Sequence, residues 1–175
     1  MTSTQDRDSL LSIARSSIKA RLDGNTLKIT DQPQGSGGVF VTLKVNGQLR
    51  GCIGRLQSEE PIYETVAEMA RSAAFSDPRF PPLPQDEFEK ISIEISRLSE
   101  FFPIDAGDVV VGTHGLMLSL GYRSGLLLPQ VPGEQGWARS AFLSGLCRKS
   151  GLPAGSWENP DAILEAFTAE VFGEE

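Results

Sequence analysis

The chain is poor in the residues that build metal and redox sites. Among 175 residues there are two cysteines, Cys52 and Cys147, and one histidine, His114. Two thiols separated by most of the chain do not make a disulfide framework, and they fit a reducing compartment. One imidazole and no CxxC pair leave too few soft ligands for a protein-only transition-metal site, and the carboxylates lack the spacing of a calcium loop, so no metal is expected. Basic residues are also in deficit, with 16 Lys+Arg against 23 Asp+Glu and a net charge of −7. No local Lys/Arg cluster offsets that balance, which excludes nucleic acid as an expected partner. No apolar run approaches the roughly 20 residues of a membrane span. The opening MTSTQDRDSLL is polar where a secretory signal needs a basic end and an apolar core, so a cytoplasmic location away from membranes is expected. Neither GxGxxG nor GxxxxGK[ST] is present, and the glycines of DQPQGSGG (31–38) precede a strand whereas a phosphate loop follows one, so no cofactor is expected.

The remaining composition is that of a folded soluble protein, 39% hydrophobic and 22% charged. A chain of this length buries roughly two-thirds of the surface its unfolded form exposes. A single domain over 1–175, with room for two lobes, is the natural reading.

Asp8 to Leu22 reads as an amphipathic helix, with Leu10, Ala14 and Ile18 on one face and Gly24 beyond its end. The segment 31–38 is a linker. VFVTLKV-NG-QLRGCIG carries the strongest local signal, because Asn46-Gly47 between alternating β-formers is the favoured type I′ hairpin turn. A regular ladder from Val45 opposite Gln48 would pair Leu43 with Arg50, Val41 with Cys52 and Phe40 with Ile53. Arg50 and Cys52 would then share a face with Val39, Val41 and Leu43. Gly51 and Gly54 predict a bulge or a close approach by another segment or a ligand. A second helix opens at Glu60-Pro61 and stops at Ser76-Asp77-Pro78. Glu89 to Leu98 alternates Ile91, Ile93 and Ile95 with Ser92, Glu94 and Ser96, a half-buried strand. Short strands around 116–120 and 126–128, joined through GYRSG, predict another hairpin. A third helix covers Trp137 to Lys149, with Phe142, Leu143, Leu146 and Cys147 inward and Gly151 past its end. DAILEAFTAEVF satisfies both helical and strand periods. Without regular βα alternation, the expected class is α+β, an antiparallel-rich sheet with flanking helices.

Several residues carry two readings. Cys52 is either a small residue under a bend or a thiol activated by Arg50. His114, in GTHG, is either a turn residue bonded to its own loop or the proton-transfer partner of Cys52. Ser16-Ser17-Ile18-Lys19 matches SxxK without the SDN or KTG elements that would give it meaning. Glu94 is a solvated carboxylate or one aimed at a site. Arg79, in DPRFPPLP, is a salt-bridge partner or a guanidinium held by prolines for a carboxylate or phosphate.

LRGCIG, AAFSDPRFPPL, ISIEISRLS, and HGL followed by GLLLPQV and GW occur here in an order and spacing that closely resemble the AmmeMemoRadiSam system protein A family, also called the AMME chromosomal region family. The resemblance runs from about Gly38 to Phe172. It implies two lobes around a cleft near LRGCIG, a strand at FTAEVF, and association with a Memo-like protein and a radical S-adenosylmethionine enzyme. Its motif positions fall here on Arg50, Gly51, Cys52, Gly54, Asp77, Arg79, Phe80, His114, Gln130 and Trp137. Ala138 departs from the acidic residue that relatives often carry after the tryptophan, which puts a helix cap there in doubt. Two functions follow as expectations. One is a substrate- or partner-binding module using Arg50, Gly51, Gly54, Arg79 and Gln130. The other is a thiol-dependent enzyme with Cys52 and His114 as catalytic pair, acting on a small or peptidic substrate.

Overall fold

A computed structural model describes residues 1–174. The chain divides into two compact units, one of Met1–Leu98 with the residues from Glu170 onward, the other of Ser99–Ala169. Each has its own antiparallel sheet, so the class is α+β.

The first unit opens with α1 (Thr4–Leu22), which begins four residues earlier than its apolar stripe predicts. The reason is a cap, since Ser3 Oγ accepts the Asp6 N–H at 3.1 Å. β1 (Val39–Val45) and β2 (Gln48–Arg55) form the expected hairpin, with Asn46 and Gly47 both at positive φ as a I′ turn demands. α2 (Ile62–Phe75) follows, with Pro61 at its N-cap position. β3 (Ile91–Leu98) comes after an irregular proline-rich passage and a 3₁₀ turn over Gln85–Lys90. The sheet order is β2-β1-β3-β8, where β8 (Ala169–Gly173) is the last strand among the described residues. Its inner face, Val39, Val41, Leu43, Ile91, Ile93 and Ile95, packs with Leu10, Ala14 and Ile18 of α1 and Val66, Ala70 and Ala73 of α2 into one buried core.

The second unit holds β4 (Phe102–Pro103), β5 (Gly115–Leu120), β6 (Arg123–Leu127), α3 (Val131–Gln135), α4 (Arg139–Lys149) and β7 (Ile163–Phe167). Its sheet order is β4-β7-β5-β6. The β5–β6 turn is tighter than GYRSG suggests: Gly121 at φ +61° and Tyr122 alone join Leu120 to its partner Arg123. α4 starts at Arg139 with no side-chain cap from Ala138, and Trp137 lies just outside it, its ring against Gly145. Phe142, Leu143, Leu146 and Cys147 are buried as expected, with Leu116, Leu118 and Ala166. The ambiguous C-terminal stretch forms two strands, β7 and then β8 (Ala169–Gly173), the second of which completes the first unit's sheet.

The hairpin register corrects the sequence reading. Val45 faces Gln48 and Lys44 faces Leu49, but Leu43 then faces Gly51, Thr42 faces Cys52, Val41 faces Ile53 and Phe40 faces Gly54. Arg50 is the extra residue of a β-bulge. A regular ladder would have put the Arg50 guanidinium on the core face beside Leu43 and turned Ile53 outward, burying a charge and exposing an apolar side chain. The bulge keeps Arg50 off the core face and returns Ile53 to it, and Cys52 consequently leaves the core face for the open one.

Candidate functional site around Cys52

β2 is an edge strand, so a residue whose main-chain groups point away from β1 must find partners elsewhere. For Cys52 they come from the segment after α2. Asp77 Oδ2 accepts the Cys52 N–H at 2.9 Å, and Arg79 Nη2 donates to Cys52 O at 3.3 Å. Asp77 is almost fully buried and in turn accepts from Arg79 three times: N–H and Nε to Oδ1, both at 3.0 Å, and Nη2 to Oδ2 at 2.7 Å. The ion pair thus occupies the place of a neighbouring peptide along β2. Arg79 holds the Asp77 carboxyl far below the usual carboxylate range, overcoming the upward push of burial, with the N–H groups of Cys52 and Arg79 adding to the effect. Arg79 is held more firmly protonated by Asp77, and Cys52 contributes in the same direction.

On the open face of the sheet, Cys52, Thr42 and Glu94 form a row across β2, β1 and β3. Thr42 Oγ1 donates to Cys52 Sγ at 3.2 Å, and the thiol is half-buried. Glu94 is ion-paired with Lys44 at 2.9 Å. Arg50 turns from the bulge to Glu87 Oε2, 2.7 Å away, and is largely buried there. Its Cζ lies 6.0 Å from the Phe80 ring centroid and that of Arg79 lies 5.6 Å from the same ring. Phe80 therefore ties the bulge to the Asp77–Arg79 turn through two cation–π contacts.

The glycines have packing reasons. A Cβ on Gly51 would lie 2.2 Å from the Ala73 carbonyl oxygen of α2, and one on Gly54 would lie 2.4 Å from the Phe40 ring. The close approach foreseen at these positions is thus made by the chain itself.

Cys52, Arg50 and Arg79 are brought together in the first unit, and His114 and Gln130 belong to the second. His114 Nδ1 accepts the Val110 N–H at 3.1 Å, and its ring meets Phe102 edge-on at 5.8 Å. This is the turn-residue geometry, with the ring's acceptor nitrogen engaged in its own loop. Gln130 is exposed and precedes α3. Sequence reasoning missed Thr42, Glu87 and the grip of Asp77 on Cys52. Thr42 and Glu87 gave no local signal. Asp77 did, since Asp-Pro-Arg after a helix is a turn whose carboxylate can bond main-chain N–H groups.

Among the described residues no group of three or more His, Cys, Asp and Glu is placed to hold a metal ion, and no helix is long and apolar enough to cross a membrane.

An α+β chain of two antiparallel sheets is a fold that this protein shares with a solved structure. The AMMECR1 family model matches residues 11–172, and the chain belongs to that family. A Methanopyrus kandleri relative, Protein MK0488, is 40% identical, the match covering 98% of this chain and 89% of that one. A protein of Methanothermobacter thermautotrophicus is 38% identical over 95% and 93% of the two chains. The crystal structure of protein PH0010 from Pyrococcus horikoshii is similar with a TM-score of 0.81 and 36% identity, covering 95% of this chain and 90% of that one.

Proposed function

We propose that this protein is a substrate- or partner-binding module of the cytoplasm that acts with a Memo-like protein and a radical S-adenosylmethionine enzyme. Recognition takes place at the Cys52 stretch of β2 and its open sheet face. The observation that carries this reading is the double grip on Cys52. A buried carboxylate and a guanidinium hold both main-chain groups of one residue, which fixes a surface in advance of binding and lowers the ordering cost of association. Arg79, whose side chain is 54% exposed, presents Nη1 to the ligand, while Arg50 with Glu87 keeps the bulge in place. Gly51 and Gly54 let α2 and Phe40 close on the strand from either side.

A thiol-dependent reaction is the second reading, with Cys52 as nucleophile or acid/base group and His114 as proton carrier. What favours it is that the half-buried Cys52 Sγ lies on the open face of the sheet and accepts the Thr42 hydroxyl at 3.2 Å. What disfavours it is the engagement of His114 with Val110.

Replacing Cys52 by serine separates the two. The hydroxyl keeps a partner for Thr42, so a Memo-like protein titrated into wild type and C52S in a calorimeter gives dissociation constants within about threefold of each other. Loss of binding in the folded C52S variant would move the thiol to the centre of the function.

A further inference from the structure

The sheet of the second unit ends in β6, whose pairing partner lies on one side only. Leu120 and Arg123 flank a two-residue turn and form its closing hydrogen-bonded pair, so Leu118–Gly125 and Leu116–Leu127 are hydrogen-bonded as well. The N–H and C=O groups of Ser124 and Leu126 therefore point away from β5, and among the described residues neither makes a hydrogen bond. At Cys52 on β2 the corresponding outward groups are taken by Asp77 and Arg79, which is the usual protection of an edge. β6 has no such device.

Its surroundings are basic in a chain of net charge −7. Among the described residues all eight ion pairs lie in the first unit, and none of them engages a cation of the second. Three cations of the second unit flank β6. Arg123 sits on the strand and donates Nη1 to Gly151 O. Arg148 and Lys149 occupy the last turn of α4, which lies against β6 so closely that a Cβ on Gly125 would be 2.5 Å from Ser150 Oγ. Tyr122, 93% exposed at the turn, adds an apolar ring beside Arg123, whose Cζ is 5.7 Å from its centroid.

We propose that β6 is a docking edge for an extended acidic segment of a partner protein, which adds to the sheet as a further strand. The main chain of the segment pairs with Ser124 and Leu126, and its carboxylates meet Arg123, Arg148 and Lys149. This inference is independent of the Cys52 reading.

The test is an amide-shift titration with an acetylated peptide of alternating glutamate and valine, alongside its lysine-valine counterpart. The glutamate peptide shifts the Ser124 and Leu126 amides and binds at least about tenfold more tightly than the lysine peptide, with an advantage that shrinks as salt rises. Ser124→Pro removes an outward N–H that no internal bond uses, so the fold persists while the binding is lost. Arg123→Glu reverses the charge at the edge and weakens the glutamate peptide without touching the main-chain groups. No shift at millimolar peptide, equal binding of the two peptides, full binding by S124P, or displacement of the peptide by duplex DNA would overturn the proposal.

Discussion

Replacing Asp77 by alanine lowers the stability of the first unit by about 2–4 kcal/mol, read from urea unfolding. The loss has two sources. The Cys52 N–H loses its acceptor at a part-buried position, and Arg79 loses the carboxylate that fixes its guanidinium. The Asp77→Asn variant retains one carbonyl oxygen at this place and is expected to lose about half as much. Acid titration supplies a second signature. The folded-state value of Asp77 is depressed, so its contribution is complete above the unfolded carboxyl value near 4 and is lost as pH falls from there toward the lowered value. Glu170 behaves similarly on the far edge of the same sheet. Burial raises its value, but hydrogen bonds from Thr2 and Arg7 bring it down to about 2, so its share disappears between about pH 4.5 and 2. The wild type therefore loses stability through this acid range, and D77A loses less because one of the two contributors is gone. An identical acid limb in D77A would refute the assignment.

Gly51→Ala is expected to destabilise by about 3 kcal/mol, the upper end of overpacking costs. Its Cβ would meet the Ala73 oxygen at 2.2 Å, and that atom belongs to helix backbone, which cannot rotate away as a side-chain tip can. Gly107 is the control, with no atom within 4 Å of its added Cβ, so Gly107→Ala changes stability by no more than about 0.5 kcal/mol. Thermal unfolding of the two variants measures the difference. A neutral G51A would mean that α2 does not approach β2 as described.

Most of the fold is legible from periodicity and punctuation. Asn46-Gly47 marks its hairpin because both residues tolerate positive φ, and the isoleucines of β3 alternate cleanly because one face of that strand is buried. The bulge is harder to read. Gly51 and Gly54 mark a bulge as one of two readings but do not fix its place, and one inserted residue at Arg50 moves every side chain beyond it to the other face, Cys52 among them, from the core side to the open side. The parity of Leu43 and Ile53 is the available clue, since a regular ladder cannot bury both. β4 and α3 are two and five residues long, too short to show a period. The C-terminal segment satisfies both periods, and only its pairing decides for strands. The candidate site follows the same division. Cys52, Arg50 and Arg79 stand out as residue types in a motif, but the contact of Asp77 with Cys52 spans 25 positions and depends on where α2 ends against β2.

The most direct measurement is the amide-exchange footprint of a Memo-like protein on this chain. The account predicts slowed exchange along Gly51–Arg55 and through the Asp77–Phe80 turn, with the protection lost in a folded Arg79→Ala variant. Protection confined to other segments, or an unchanged footprint in R79A, would contradict it.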